Sequence, residues 1–291
     1  MTLDSNEIQP AVDVVIPVFG EREQALTETL SACAKQSYPI SKIFVVDDGS
    51  PEPVCLPAWA QTAPQVALLR LVQNLGISAA RNAGIARSDA PFLACINTDV
   101  LPDPDWLKIC VTYLLSSPRL GACYTRLVSA TPNRLLTRWR MRFLETKFGE
   151  HSGPTPFAPG HAVLFRREAV QAVSGYDPRL RLHHEDSDIC FRMRDAGWET
   201  LYAAESRCVS IQQDQLAQLT GKVLREAGWY SPSESSLGRL YFDHTKLTLV
   251  RAGRNVVKGR LSFLPVDAAI WAFGLWTATT RSLRSPKPRV G

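Results

Sequence analysis

Two adjacent carboxylates, Glu185 and Asp186, stand where the sequence starts a helix. Behind them Ile189, Met193 and Ala196 recur at helical spacing, Arg192 and Arg194 lie off that stripe, and Gly197 supplies a C-terminal stop. Such a pair has two readings: a cap for the orphan N–H groups of the first turn, or a general base. Taken alone, the cap is the commoner case. Three more blocks hold residue types that do chemistry: Asp47-Asp48-Gly49-Ser50, the run Asn74 to Gly84 with Arg81 inside it, and Asn97-Thr98-Asp99. By themselves they read as an Asp-Gly turn, a surface helix arginine with Asn82 and Gly84 as punctuation, and a polar turn.

The elements that must position these blocks alternate. Val12 to Val18 is an apolar run and Gln24 to Ala34 carries Leu26, Leu30 and Cys33 at helical spacing, so strand is followed by helix. Ile43 to Val46, Val66 to Val72 and Phe92 to Ile96 predict further strands, with helices over Ile77 to Ala86 and Asp105 to Leu115. That alternation predicts an α/β fold with a Rossmann-like, mostly parallel central sheet flanked by helices, whose ligand lies at the carboxyl ends of the strands. The middle is less regular. Leu135, Trp139 and Phe143 are spaced as one helical face and Arg134, Arg138 and Arg142 as another, which predicts an amphipathic helix over 134–147; Ser152 to Pro159, with three prolines, predicts a loop. Beyond Asp214 the pattern is helical, with a Ser-rich interruption at Ser231 to Ser236 and an apolar segment from Leu261 to Thr279. The expected division is 1–214, with a nucleotide-binding half over about 10–120 and an acceptor and catalytic half over 121–214, then a helical, basic extension over 215–291.

Taken in order, Val15 to Glu21, Asp47 to Ser50, Asn74 to Gly84, Asn97 to Asp99 and the Glu185-Asp186 helix resemble the family 2 inverting glycosyltransferases, with the nucleotide-sugar-binding fold called GT-A. The resemblance covers roughly 12–210, and it lies in the order of the blocks. It implies that Pro17, Val18, Phe19 and Glu21 line the nucleotide, with Thr98 nearby, and that Asp48 accepts the imide N–H of uracil or thymine, Asp47 holding the turn. Arg81 would meet the nucleotide or its diphosphate. Relatives write Asp-x-Asp at the metal turn; here Asn97 takes the first place and Asp99 remains, so Mg²⁺ or Mn²⁺ would be held by Asp99, the Asn97 carbonyl, phosphate and water. Asp186 would be the base that takes the acceptor proton, with Glu185 orienting the acceptor or capping the helix. Gly160 and His161, in a run resembling the strand that closes the donor-sugar pocket, and His184 would meet sugar hydroxyls. Two family features are missing: a histidine after the acidic helix, where Cys208 to Gln213 offers none, and the Gln-x-x-Arg-Trp signature of processive synthases.

The expected activity is therefore transfer of one hexosyl or deoxyhexosyl group from a UDP- or dTDP-linked sugar to a hydroxyl of a glycan or lipid-linked acceptor, in cell-surface polysaccharide biosynthesis. Two rivals are a degenerate member that binds nucleotide sugar or a partner without turnover, and a sugar-nucleotide-forming nucleotidyltransferase. The latter needs a Gly-rich basic loop where this chain has Phe19 to Glu23. Composition fits a soluble globular chain of 291 residues. Seven scattered cysteines without a C-x-x-C pair fit a reducing compartment, and no apolar run approaches the roughly 20 residues that span a bilayer, so a cytoplasmic protein is expected. The net charge of +5 hides an asymmetry: from Lys246 onward nine Lys and Arg residues stand against Asp267 alone, a local +8, which leaves −3 before it. The tail is read as a solvated charged end and a nucleic-acid partner is not expected; the basic helix at Arg134 to Lys147 and the Trp-bearing C-terminal segment allow peripheral contact with the inner membrane leaflet, the alternative being an amphipathic helix plus a core or dimer-forming C-terminal helix.

Overall fold

A computed structural model describes residues 9–20, 23–145, 148–226 and 237–284; Glu21 and the Ser-rich stretch 231–236 lie outside them. In chain order the elements are β1 (Val12–Val18), α1 (Glu23–Cys33), β2 (Lys42–Asp47), α2 (Ala58–Gln61), β3 (Val66–Arg70), α3 (Ile77–Ile85), β4 (Phe92–Ile96), β5 (Val100–Pro102), α4 (Trp106–Ser116) and β6 (Leu120–Ser129). There follow α5 (Leu135–Arg140), β7 (Gly153–Pro154), β8 (Ala162–Arg166), α6 (Arg167–Ala172), α7 (Glu185–Asp195), β9 (Glu199–Ser210), α8 (Leu216–Glu226), α9 (Leu237–Val257) and α10 (Leu264–Arg284).

Two compact units emerge, one of residues 1–130 and 148–212, the other of 131–147 and 213–291. In the first, the sheet runs β3-β2-β1-β4-β8-β6-β9-β5, with β7 on β9. Strands β3, β2, β1 and β4 are parallel, whereas β8 enters antiparallel to both β4 and β6. The order reverses at β1, whose neighbours are β2 and β4, so the crevice for a ligand opens at the ends of β1 and β4.

Strand alternation sorts β1 between two cores. Val12, Val14, Ile16 and Val18 pack with Leu26, Leu30, Trp106 and Leu107 of α1 and α4, and Val15 packs on the opposite face in a core shared with Ala80, Ile189 and Met193 of α3 and α7. Gly84 makes the close approach of α3 possible, since a Cβ there would sit 2.5 Å from Val15. The cysteines are all free thiols and burial pushes Cys33 and Cys190 up to about 12, which keeps them protonated and unreactive.

The second unit collects Trp139, Leu219, Val223, Phe263, Val266 and Ile270 into its own core. The helix predicted over 134–147 is α5 followed by a π turn at Met141–Glu145, with the Phe143 ring tilted against Trp139 at a centroid distance of 5.2 Å. Arg140 and Asp214, both fully buried, form an ion pair at 2.7 Å that fastens 131–147 to the residues after 212. Asp267 accepts from Trp139 at 2.9 Å and Asn255 at 2.8 Å and pairs with Arg251 at 3.0 Å. Among the described residues no helix is long and apolar enough to cross a membrane.

Candidate active site at the end of β4

Arg81 on α3 is wholly buried, and its guanidinium is the centre on which the separate sequence blocks converge. Nη1 donates to Glu185 Oε1 at 3.0 Å; Nη2 donates to Asn97 Oδ1 at 3.1 Å and to the Gly160 carbonyl at 2.7 Å. Tyr176 lies under it, with the guanidinium carbon 5.2 Å from the ring centroid. One side chain thus ties α7, the turn after β4 and the segment before β8. Gly160 has no side chain because a Cβ there would stand 2.8 Å from Arg81 Nη2; its smallness makes room for the arginine, a use the resemblance did not imply. The resemblance implied contact of Arg81 with the nucleotide or its diphosphate; here its two terminal nitrogens donate to Glu185, Asn97 and Gly160.

Glu185 is 7% exposed, and its carboxylate accepts from its own backbone N–H in the first turn besides facing Arg81; His184, at the N-cap in a left-handed conformation, makes no side-chain cap bond. Burial pushes the Glu185 carboxyl up, the Arg81 charge opposes that, and neighbouring Asp186 adds to the rise. Asp186 is half-buried, with one carboxylate oxygen on each of two backbone N–H groups: Oδ2 accepts from Gly160 at 3.0 Å, Oδ1 from Ser187 at 2.8 Å. Those bonds, with the Ser187 hydroxyl 3.5 Å from Oδ1, fix its plane, and Oδ2 keeps a further lone pair.

The turn Asn97-Thr98-Asp99, which the resemblance reads as a metal site, follows directly from β4. Thr98 is buried, its carbonyl accepting from Thr29 at 3.0 Å, and Asn97 and Asp99 are half-buried. The Asn97 carbonyl oxygen already accepts from a cation, Arg81, so it does not fit as a metal ligand. Asp99 does fit as a single carboxylate anchor of the kind that holds Mg²⁺ when substrate phosphates and water complete the shell. Among the described residues no group of three or more His, Cys, Asp or Glu side chains could hold a metal by itself.

At the end of β2 the acidic pair divides its work. Asp47 accepts from Ser50 N–H at 2.9 Å and from Arg70 at 2.6 Å. Burial would raise its carboxyl, but hydrogen bonds from Ser50 and Val54 and the Arg70 charge outweigh that and hold it below its ordinary 3.8. Gly49 has φ of +66°, and a Cβ there would strike the backbone of Gln73. Asp48 is buried with its two oxygens on the N–H groups of Leu75 and Gly76, each at 2.8 Å, so it holds the loop entering α3. Beside it, Pro17 and Val18 are buried at the end of β1, Phe19 is 48% exposed, and Gly20 N–H donates to Ser50 Oγ.

His161 is buried, 3.3 Å from the Thr125 carbonyl and edge-on to Tyr124, a core position; His184 is exposed. Several positioning residues escaped sequence reasoning. Asn82 clamps Tyr176 through both its amide groups, at 2.7 and 2.9 Å, Ser78 donates to the Leu180 carbonyl, and Arg181 donates to the Asn74 and Leu75 carbonyls. Together they bind the segment leading into α7 onto α3. Their only signal was polarity on a helix of small residues.

Residues 13–174 match the family model described as glycosyl transferase family 2. A pre-mycofactocin glycosyltransferase of Mycobacterium tuberculosis is 26% identical over 219 residues, 73% of this chain and 45% of its own length. An N-acetylglucosaminyltransferase of Azorhizobium caulinodans is 27% identical over 248 residues, 77% of this chain and 60% of its own length. The chain thus spans about half the length of these relatives. Among solved structures, the mannosyltransferase PcManGT from Pyrobaculum calidifontis, in complex with GDP-Man and Mn²⁺, superposes with a TM-score of 0.58 at 21% identity, covering 97% of this chain and 77% of that one. That likeness shows the fold, the GT-A type.

Proposed function

Because the chain belongs to glycosyl transferase family 2, we propose that it transfers a sugar from a nucleoside-diphosphate sugar to a hydroxyl of a glycan or lipid-linked acceptor, with inversion at the anomeric carbon and one addition per encounter. The observation that carries this reading is the Arg81 hub. It brings the acidic helix and the Asn97 to Asp99 turn to the carboxyl end of β4, where a sheet of this topology takes its ligand.

Asp186 is the base. It is the acidic group of α7 that is neither buried in an ion pair nor turned to a side-chain cation, and its two backbone N–H bonds aim it without protonating it. The acceptor hydroxyl gives its proton to Asp186 as its oxygen forms the new bond, and the bond from anomeric carbon to diphosphate breaks on the opposite face. Glu185 is a positioning residue, holding Arg81 and through it Gly160, whose N–H orients Asp186. A divalent cation on Asp99 would neutralise the departing diphosphate; the similarly folded mannosyltransferase from Pyrobaculum calidifontis is in complex with GDP-Man and Mn²⁺. Phe19, exposed at the end of β1, offers a face for the base, and Pro17, Val18 and Thr98 its floor. A UDP- or dTDP-linked donor follows from Asp48, whose carboxylate would accept the imide N–H beside the two backbone bonds it already receives.

The experiment is a panel of UDP-, dTDP- and GDP-linked sugars assayed for nucleoside-diphosphate release, with Mn²⁺ or Mg²⁺ and then with chelator. Release with a UDP- or dTDP-sugar that chelator abolishes is expected. A second reading, a member that binds donor without turnover, is favoured by Asn97, whose oxygen Arg81 occupies. Donor binding by calorimetry without release from any donor and acceptor would establish it instead.

A further inference from the structure

Helix α9 is built inside out. The side chains it buries are polar: His244 and Asn255 are 0% exposed, Thr248 is buried, and Arg251 pairs with Asp267 of α10. Thr245 accepts from Trp271 at 3.0 Å on the same contact. Outward stand Phe242 at 65%, Leu249 at 66%, Val256 at 53% and Val257 at 87% exposed, with Val250 beside them. Phe242, Leu249 and Val256 recur at seven-residue intervals, so they form a single stripe two turns apart at each step. A helix serving only a water-facing surface places these two sets the other way round.

Charge decides what covers the stripe. Between Leu237 and Val266 there are six Lys and Arg residues and one acid, Asp243. Exposed Lys246 lies beside the stripe, exposed Arg254 flanks it, and exposed Lys258, half-buried Arg260 and exposed Leu261 follow just past the helix end. A second copy laid on this face would bring these cations against their own kind, whereas an anionic headgroup layer neutralises them. Its charges and its low hydropathy, not its 21-residue length, exclude a spanning role for α9. We propose that α9 docks in the plane of an anionic lipid surface, its Phe242, Leu249, Val250, Val256 and Val257 entering the acyl boundary and Lys246, Arg254 and Lys258 meeting the headgroups. This surface is independent of the reading given to the Arg81 site.

The full chain is floated with vesicles of phosphatidylcholine alone and with vesicles containing phosphatidylglycerol. Flotation with the anionic vesicles only, weakened by high salt, is expected. The pair Phe242→Ser and Leu249→Ser, at exposed sites, is expected to keep its circular dichroism and thermal midpoint while partition falls about tenfold or more, and Lys246→Glu with Arg254→Glu to do the same. Should the first pair unfold, the charge pair and the salt titration carry the test alone. Wild-type protein that stays unbound to both vesicle types, or variants that float as well as wild type, overturn the proposal. So does a dimer in light scattering that the Phe242→Ser, Leu249→Ser pair splits while wild type fails to float, which would assign the face to a second copy.

Discussion

Arg81 matters less for what it could touch in a ligand than for what it holds together. A buried guanidinium loses its hydration and is tolerable only because Glu185, Asn97, the Gly160 carbonyl and the Tyr176 ring replace it. Arg81→Ala leaves the buried Glu185 carboxylate unpaired, and breaking such a pair costs about 3–5 kcal/mol, which denaturant melts will read. Asp47 permits a prediction about pH. Its folded carboxyl lies below the ordinary 3.8, so its stabilisation is complete above that value and is lost as pH falls through the lower folded one. Asp47→Asn is expected to melt lower than wild type at neutral pH, with the gap closing below pH 3.8; a gap constant with pH would contradict the assignment. Residue types alone made Asp186, Asp99 and Asp48 visible as candidates. They could not separate Glu185 from Asp186, because only the fold reveals that one faces Arg81 and the other Gly160.

At the scale of elements, the strands and helices before Ser116, apart from the four-residue α2 and the three-residue β5, were legible because each is short, apolar and bounded by Gly, Pro or Asp. The two longest strands, β6 and β9, were not. Both carry polar residues that the sheet pairs internally, as Thr125 does with buried Ser206 at 2.8 Å, and a register shift after Thr125 breaks the alternation that a sequence reading depends on. The two-residue β7 lay inside a proline-rich run that reads as loop, and it is one: two residues pairing with β9. The loop entering α3 offers the element-scale prediction. Gly76 has φ of +97° and faces the Arg181 backbone, where a Cβ would stand 2.6 Å away. Gly76→Ala therefore strains the backbone and displaces Arg181 together, at a cost of about 1–3 kcal/mol, lowering the thermal midpoint and loosening Asp48 from its two N–H donors.

For the whole molecule, the division into 1–130 with 148–212 and 131–147 with 213–291 was invisible in sequence, since 131–147 joins the later unit through the buried Arg140–Asp214 pair. Linear reasoning assigns a segment to its neighbours, and a buried ion pair between distant residues leaves no local pattern. The basic tail was legible as charge but not as a face: periodicity identifies the apolar stripe of α9 without telling that it points outward. What the first unit achieves is a convergence of α3, the turn after β4, the segment at Gly160 and the start of α7 on Arg81. The proposed chemistry there requires Asp186 to take the acceptor proton. The most direct measurement is kcat of Asp186→Asn with the donor selected by the panel, alongside its donor affinity by calorimetry. Asparagine keeps an oxygen for one N–H bond but cannot accept the proton, so kcat is expected to fall about 10²- to 10⁴-fold with donor affinity preserved. A kcat equal to that of wild type would contradict the account.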